Sequence, residues 1–381
     1  MAWERKLRMG MVGGGPGAFI GPVHKMAAEL DGKIELVAGA FSQSAERSRQ
    51  AGEGFGIDPA RAYADYQEMI KAERARADAI DFVVIVTPNH LHLPVAEAAL
   101  EAGFAVMSDK PATATYGEVL ALKKAVASSG LPYGLTHTYA GYSLVREARG
   151  ICASGQLGPI RKIAVEYLQG WLSQPIEKSG QKQAAWRADP ALSGPGGCIG
   201  DIGTHAFHLI EYVTGLRVTG LNATLRTVVE GRRVDDDCNA MLRLDNGATG
   251  VLMASQIAAG ERNSLRLRVY GEDGSIDWHQ EDPNRLRVKW QDKPEEIRHA
   301  AGSYLGADAR VVTRLPGGHP EGYIEAFAVL YREFADGLIA WRAGKANPLP
   351  ATLPGIVAGV RGMRFIERVI ESNRVVGWVK F

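Results

Sequence analysis

The stretch "LRMGMVGGGPGAFIG", residues 7–21, decides how the chain is read. A continuous apolar run leads straight into glycines and then into a helical pattern reaching about Leu30. The turn fits G-x-G-x-x-A at Gly13, Gly15 and Ala18, with Phe19 and Ile20 carrying the chain into the helix. Small residues there let the backbone turn tightly and approach a pyrophosphate, whose charge is favoured at a helix N-terminus. Any glycine-rich turn can imitate the fingerprint. Here it follows a strand, opens a helix and begins a β-α-β unit, the context that marks dinucleotide binding.

Outward from that turn the same rhythm continues. "KIELVAGA", "AIDFVVIVT" and "FAVMSDK" are apolar runs, separated by helical patterns that include "LPVAEAALEAG" and residues 115–129, and "LPYGLTH" is the last strand, ending near His137. Mostly continuous apolar strands alternating with helices predict a doubly wound parallel sheet, a Rossmann-type α/β domain. The second strand runs into "FSQSAER", with Ser42 where an acidic residue would ordinarily take the ribose hydroxyls. Ser42 can still hydrogen-bond a ribose, and Arg47 can either reach a 2′-phosphate or be a solvated helix residue. NAD and NADP both remain open on these residues.

Beyond residue 140 the period changes. "NAMLRLDNGATGVLMASQ" is two runs around Asp245-Asn246-Gly247, a strong antiparallel hairpin signal. "SLRLRVYG", "GSIDWHQ" and "NRLRVKW" alternate every second residue, and helical patterns follow at about 320–338 and 354–372. The expected organisation is a dinucleotide-binding domain over residues 1–140 and an α+β domain with a large, mostly antiparallel sheet over 141–381. With 381 residues, 46% of them hydrophobic, the chain is long enough for two such cores.

The charge balance, 44 Lys plus Arg against 43 Asp plus Glu, gives no basic face of the kind nucleic-acid binding requires. No apolar run approaches the roughly 18–20 residues that span a bilayer. The N-terminus enters a strand pattern at once, so no signal peptide is expected. Cys152, Cys198 and Cys238 are odd in number and widely spaced, which suits small apolar fillers in a reducing, cytoplasmic setting.

The chemistry-bearing stretch is "GPGGCIGDIGTHAFHLIEY", residues 194–212. Read as a helix behind a glycine approach, it places Asp201 and His205 four apart on one face. An imidazole with a reference pKa of about 6.5 is a suitable base near neutrality, and a carboxylate beside it favours the imidazolium. Asp201, His205 and His208 together have metal-ligand chemistry, but no fourth ligand is evident and His208 precedes the apolar "LIEYV". It is expected to be packed, and no metal is expected. "VDDDCN" (234–239) precedes a strand and reads as a solvated turn.

"TPNHLH" (Thr87 to His92) follows one strand, "DKP" (Asp109, Lys110, Pro111) follows another, and "GDIGTH" supplies Asp201 and His205. In this order the set resembles the Gfo/Idh/MocA family of glucose–fructose oxidoreductase and inositol dehydrogenase relatives, over nearly the whole chain. The resemblance implies a Rossmann domain followed by a mixed α/β domain, with hydride passing between a nicotinamide and a secondary alcohol. It implies that Lys110 stabilises the alkoxide, that Asp201 and His205 perform the acid–base work, and that Thr87, Pro88, Asn89 and His92 lie at the nicotinamide half. The family's E-K-P segment has Asp109 in place of Glu. "GGGPGAFIG", "THTYAGY", "KQAAWRADP" and "GGHPEGYIEAF" resemble the subgroup that oxidises levoglucosan, scyllo-inositol and L-glucose, which favours NAD.

Tyr139, Trp186, Arg187 and His319, carried in those segments, are candidates to contact a sugar or polyol along with Lys110, Asp201 and His205. Homodimers or homotetramers through packed sheet faces are the family's implication. Two other activities fit relatives of this fold: a glycosidase that uses transient NAD oxidation, and a non-enzymatic ligand sensor.

Overall fold

The computed structural model describes residues 5–346 and 348–381. The chain forms two compact units, one comprising residues up to His137 together with Phe327–Val360, the other Thr138–Ala326 together with Arg361–Phe381. The first unit is therefore discontinuous: its first segment ends at His137 and residues 327–360 return to it.

The first unit is built on a parallel sheet of β1 (Leu7–Gly13), β2 (Ile34–Ala40), β3 (Phe82–Val86), β4 (Ala105–Ser108) and β5 (Tyr133–Leu135), ordered β2-β1-β3-β4-β5. Every residue of β3 and β4 is buried, as strands covered on both faces must be. The chain leaves β1 toward β2 on one side and reaches β3 on the other, so the loops after β1 and β3 diverge and leave a crevice at the strands' carboxyl ends. The returning segment supplies core. Phe334 packs on Phe82 with ring centroids 5.2 Å apart, and the Leu135 N–H donates to the Pro354 carbonyl at 2.8 Å.

The second unit contains a nine-stranded sheet: β6 (Lys162–Leu168), β7 (Val218–Arg226), β8 (Asp237–Leu244), β9 (Thr249–Ser255), β10 (Ser264–Tyr270), β11 (Gly274–His279), β12 (Arg285–Trp290), β13 (Glu296–His299) and β14 (Val379–Lys380). The order is β13-β12-β11-β10-β6-β9-β8-β7-β14, with β6 and β9 parallel and the other neighbours antiparallel. The predicted hairpin joins β8 to β9, with Gly247 at φ +87° and its N–H donating to the Leu244 carbonyl at 3.0 Å. In β8 the side chains of Cys238, Ala240, Leu242 and Leu244 are buried while Met241 faces outward. The helix Thr204–Thr214 is buried along residues 204–213, and Phe207 stacks on Phe365 at 4.4 Å.

One expectation is overturned here. "VDDDCN" is no solvated turn, for Asp235 and Asp236 are 7% and 1% exposed. Asp236 accepts the N–H groups of Val228 and Val229 (2.8 and 2.9 Å) and pairs with buried Arg232 at 3.1 Å. Asp235 accepts the N–H groups of Gly197 and Ile199, both at 2.7 Å. A run of acids reads as solvated when its donors are backbone N–H groups and a folded-back arginine, which residue type does not announce; those of Asp235 come from a segment 36 and 38 residues away.

Candidate active site

The end of β1 is shaped by backbone crowding. A Cβ on Gly13 would lie 2.6 Å from the Val86 carbonyl oxygen, and one on Gly15 would lie 2.3 Å from that of Phe41. The helix Ile20–Glu29 then starts so close to the turn that a Cβ on Gly21 would meet the Gly14 Cα at 2.5 Å. Gly21 therefore performs the close helix packing, while Ala18 lies within the turn, its N–H donating to Gly15 at 2.9 Å. Phe19 is 63% exposed at the head of the helix. A cradle that side chains would fill, opening onto a helix N-terminus, fits a dinucleotide pyrophosphate. The Ser42 hydroxyl accepts the Ser44 N–H at 3.3 Å, and Arg47 is exposed in the helix Ala45–Phe55.

Register places the next loops beside it. Gly13 pairs with Val86 and Ile85 with Ser108, so the segments beginning at Thr87 and Asp109 leave the sheet side by side. His92 is buried and ties them together, with Nδ1 2.7 Å from the Pro111 carbonyl oxygen and Nε2 3.0 Å from that of Thr87. Burial pushes the His92 imidazole below its ordinary pKa. Pro88 precedes the single turn Asn89–Leu91, in which Asn89 is buried.

Asp109 holds the backbone that presents Lys110: its Oδ1 accepts the Lys110 N–H and the Thr136 hydroxyl, both at 2.8 Å. Its Oδ2 faces His24 Nε2 at 3.9 Å, and His24 Nδ1 is 2.6 Å from the Tyr331 hydroxyl. Burial alone would raise the Asp109 carboxyl, but the facing His24, the Lys110 charge and the Thr136 hydrogen bond outweigh it and hold it well below the carboxylate range. Sequence reasoning missed His24, Thr136 and Gly21. The signal available for His24 was a lone histidine one helical turn after the glycines.

In the second unit the helix bearing His205 is entered through a π-helical turn, Ile199–Gly203. Asp201 lies in that wider turn and His205 just inside the α-helix, so the two do not share the regular α-helical face the spacing predicts. At the entry to that turn Asp235 pins the Gly197 and Ile199 N–H groups, and a Cβ on Gly197 would lie 2.2 Å from the Asp235 carbonyl oxygen. Single π turns of this kind recur at functional sites.

Asp201 Oδ2 accepts hydrogen bonds from Arg187 Nε at 3.1 Å and from the buried Gln256 Nε2 at 2.9 Å. Arg187 lies over the Trp186 ring, 4.3 Å from its centroid, and donates to Gln183 Oε1 at 2.7 Å. His205, 8% exposed, meets Tyr139 edge-on at 4.8 Å and Tyr167 at 6.1 Å. Tyr139 is buried; its hydroxyl bonds that of Tyr167, which donates to Asn263 Oδ1 at 2.7 Å. Asp201, His205, Trp186, Arg187 and Tyr139 are thus brought into one cluster. His319 is exposed on its own turn, with Nδ1 3.2 Å from the Pro316 carbonyl oxygen.

His208 stacks on Tyr212 at 5.3 Å, and burial with the nearby Arg149 and Arg217 pushes its pKa down to about 3. Among the described residues no group of three metal-ligating side chains could hold a metal ion.

Residues 7–137 match the family model "Oxidoreductase family, NAD-binding Rossmann fold", and residues 145–277 match "GFO/IDH/MocA C-terminal domain". The chain is similar to an inositol dehydrogenase homolog from Azotobacter vinelandii solved with NAD+, with a TM-score of 0.96 and 36% identity over 100% of this chain and 98% of that one. It is 32% identical to the uncharacterized oxidoreductase YfiI of Bacillus subtilis, covering 99% of this chain and 98% of the relative. Levoglucosan dehydrogenase of Pseudarthrobacter phenanthrenivorans is 27% identical over 79% of this chain and 81% of its own.

Proposed function

The chain belongs to the GFO/IDH/MocA family of NAD-binding oxidoreductases, and from that premise we propose that it oxidises a secondary alcohol of a cyclic polyol or sugar, of the inositol, levoglucosan or L-glucose type. The observation that carries this reading is the Asp201 carboxylate, fixed by two donors at the π turn that leads into the aromatic-walled His205.

When bound, the nicotinamide supplies the carbon that accepts hydride. The protein's part is proton transfer, charge stabilisation and orientation. His205 takes the hydroxyl proton, and Asp201 steadies the resulting imidazolium and hydrogen-bonds the substrate. Tyr139 and Tyr167 restrict the imidazole to one orientation, so little ordering is left for the reaction itself. Lys110 offers a compact positive charge to the developing alkoxide. Asp109, fixed by Thr136 and facing His24, keeps the Lys110 backbone in place. Trp186 and Arg187 form a planar, hydrogen-bonding wall suited to a sugar ring, and His319 is assigned to the lip of the pocket.

Gly13, Gly15, Ala18, Phe19 and Ile20 are assigned to the pyrophosphate side, Ser42 to the adenosine ribose, and Thr87, Pro88 and Asn89 to the nicotinamide side. His92 acts there by holding the Thr87 and Pro111 carbonyls. NAD is preferred, because Ser42 is the near-ribose group and Arg47 points from an exposed helix position.

On the outer face of the second sheet, Met241, Val251 and Met253 are 50%, 43% and 40% exposed on the paired strands β8 and β9, and this apolar patch supports a homodimer or homotetramer. Light scattering of the purified chain reads that state directly. No helix among the described residues is long and apolar enough to cross a membrane, and Cys152, Cys198 and Cys238 are all free thiols. Both features accord with residence in a reducing cytoplasm, which fractionation tests.

The test of the activity is NADH or NADPH formation with both cofactors in parallel over inositols, levoglucosan, L-glucose and D-glucosides. Reduction of one cofactor by any member identifies the substrate and cofactor together. Silence across the panel, from a protein that retains a bound dinucleotide, removes the dehydrogenase reading in favour of a glycosidase or a sensor.

A further inference from the structure

A row of carboxamides crosses one end of the nine-stranded sheet. Leu168 of β6 pairs with Ser255 of β9 on one side and with Ser264 of β10 on the other. The residues one step beyond, Gln256, Gln169 and Asn263, therefore stand side by side at the same end. Gln280 joins them from the next strand over, its N–H donating to the Leu265 carbonyl at 2.9 Å. The row begins at the Asp201 carboxylate, through Gln256, and continues with Gln169 Nε2 donating to Asn263 Oδ1 at 2.7 Å.

Neighbouring strands lie about 4.8 Å apart, so Asn263 is roughly 10 Å from Gln256, two strand spacings along the sheet. At that distance the row opens into a cleft of about 610 Å³ whose lining includes Tyr142, Tyr323, Asn263 and Gln280. A volume of this size accommodates a small organic ligand. Its chemistry is that of a neutral, hydroxyl-rich guest. The Tyr323 ring offers a flat apolar face, and the buried Gln280 Oε1 is an acceptor with no hydrogen-bond partner among the described residues. Asn263 Nδ2 has only a long 3.4 Å contact to the Tyr139 hydroxyl, while its Oδ1 is taken by Tyr167 and Gln169. Glu261 and Glu281 against Arg262 leave the rim one charge negative, which disfavours a phosphate or a carboxylate.

We propose that this cleft is a subsite for the second ring of a glycoside, so that the substrate is a two-ring sugar or polyol glycoside oxidised on the ring placed at Asp201 and His205. The inference rests on the dehydrogenase reading above and adds the substrate's size. In the reaction one carbinol C–H gives its hydride to NAD+, its O–H gives a proton to His205, and a ketone forms. The glycosidic bond stays intact and the second ring contributes binding alone.

Two measurements on the full-length protein test this. The first compares kcat/KM with NAD+ for methyl β-D-glucoside against cellobiose, for methyl α-D-glucoside against maltose, and for both pairs against myo-inositol and levoglucosan. The second is calorimetric titration of the same sugars into the protein–NADH complex. At least one two-ring sugar should exceed its one-ring partner about tenfold or more in both. In the double variant Gln280→Ala/Tyr323→Ala, which removes the flat face and an amide of the cleft, that ratio should fall to near one. Equal one-ring and two-ring values, or an advantage that survives the double variant, would overturn the subsite. If no sugar is oxidised, the dehydrogenase reading fails. The titration still decides the cleft: two-ring-selective binding lost in the double variant sustains it, and absence of such binding refutes it.

Discussion

The carboxyl edge of the parallel sheet and the cluster around Asp201 are built in opposite ways. The first is a backbone construction: Gly13, Gly15 and Gly21 matter for the side chains they lack, because main-chain atoms of Val86, Phe41 and Gly14 occupy the space a Cβ would need. The second is a side-chain construction. The donors that fix Asp201 come from Arg187, 14 residues before it, and Gln256, 55 residues after it. A backbone cradle can be broken only by adding atoms, whereas a side-chain cluster is broken by removing them. Damage to the first should appear in cofactor affinity and damage to the second in turnover.

The largest expected effect is that of His205→Ala, which should lower kcat by about 10²–10⁴-fold, the usual contribution of a positioned general base. NADH affinity, read by fluorescence titration, should change little. A variant that keeps near-normal turnover would show that His205 is not the base. Gly15→Val drives a side chain into the Phe41 carbonyl, so NADH affinity should fall by about a hundredfold or more while the circular dichroism spectrum stays native. If that variant instead loses kcat at unchanged affinity, the division between the two regions fails.

Asp235 sharpens the comparison through pH. Burial pushes its carboxyl from 3.8 up to about 6, against the pull of the Ile199 and Gly197 N–H groups. The folded chain then holds this proton more tightly than the unfolded one. Its stabilising contribution is complete below about pH 3.8 and is lost as pH rises through about 6, roughly 3 kcal/mol at most. Thermal unfolding across that window should show the slope, and Asp235→Asn should flatten it. The smallest effect is expected for Gln256→Ala, which removes one of the two donors on Asp201. A hydrogen bond to a charged group contributes about 1.5–3 kcal/mol, and with Arg187 still holding the carboxylate the lower end applies, so kcat should drop by about tenfold, with NADH binding intact.

The same contrast explains what the sequence revealed. The strand–glycine–helix stretch at 7–21 was readable because every contact that defines it lies within a few residues or in an adjacent strand. The hairpin at Asp245-Asn246-Gly247 was readable for the same reason. Asp201 and His205 stood out by residue type and spacing, yet the π turn that holds Asp201 did not, because the Asp235 carboxylate that ties its first residue comes from a loop 36 residues beyond Ile199. The burial of Asp235 in "VDDDCN" was illegible on the same grounds, since its donors are backbone N–H groups 36 and 38 residues earlier in the chain. His24 and Thr136 could be linked to Asp109 only after the sheet had brought three strand ends together. The return of residues 327–360 to the first unit left no local mark, for their helices look alike in sequence whichever core they serve.

The most direct test of the central claim is the stoichiometry of a single reaction, NADH formed against alcohol consumed, for whichever cyclic polyol or sugar the wild-type protein accepts. A ratio of one, abolished in His205→Ala while the variant still binds NADH, is the predicted result. Consumption of substrate with no net NADH would contradict the account, because the cofactor would then be regenerated within each turnover and the chain would not be a dehydrogenase.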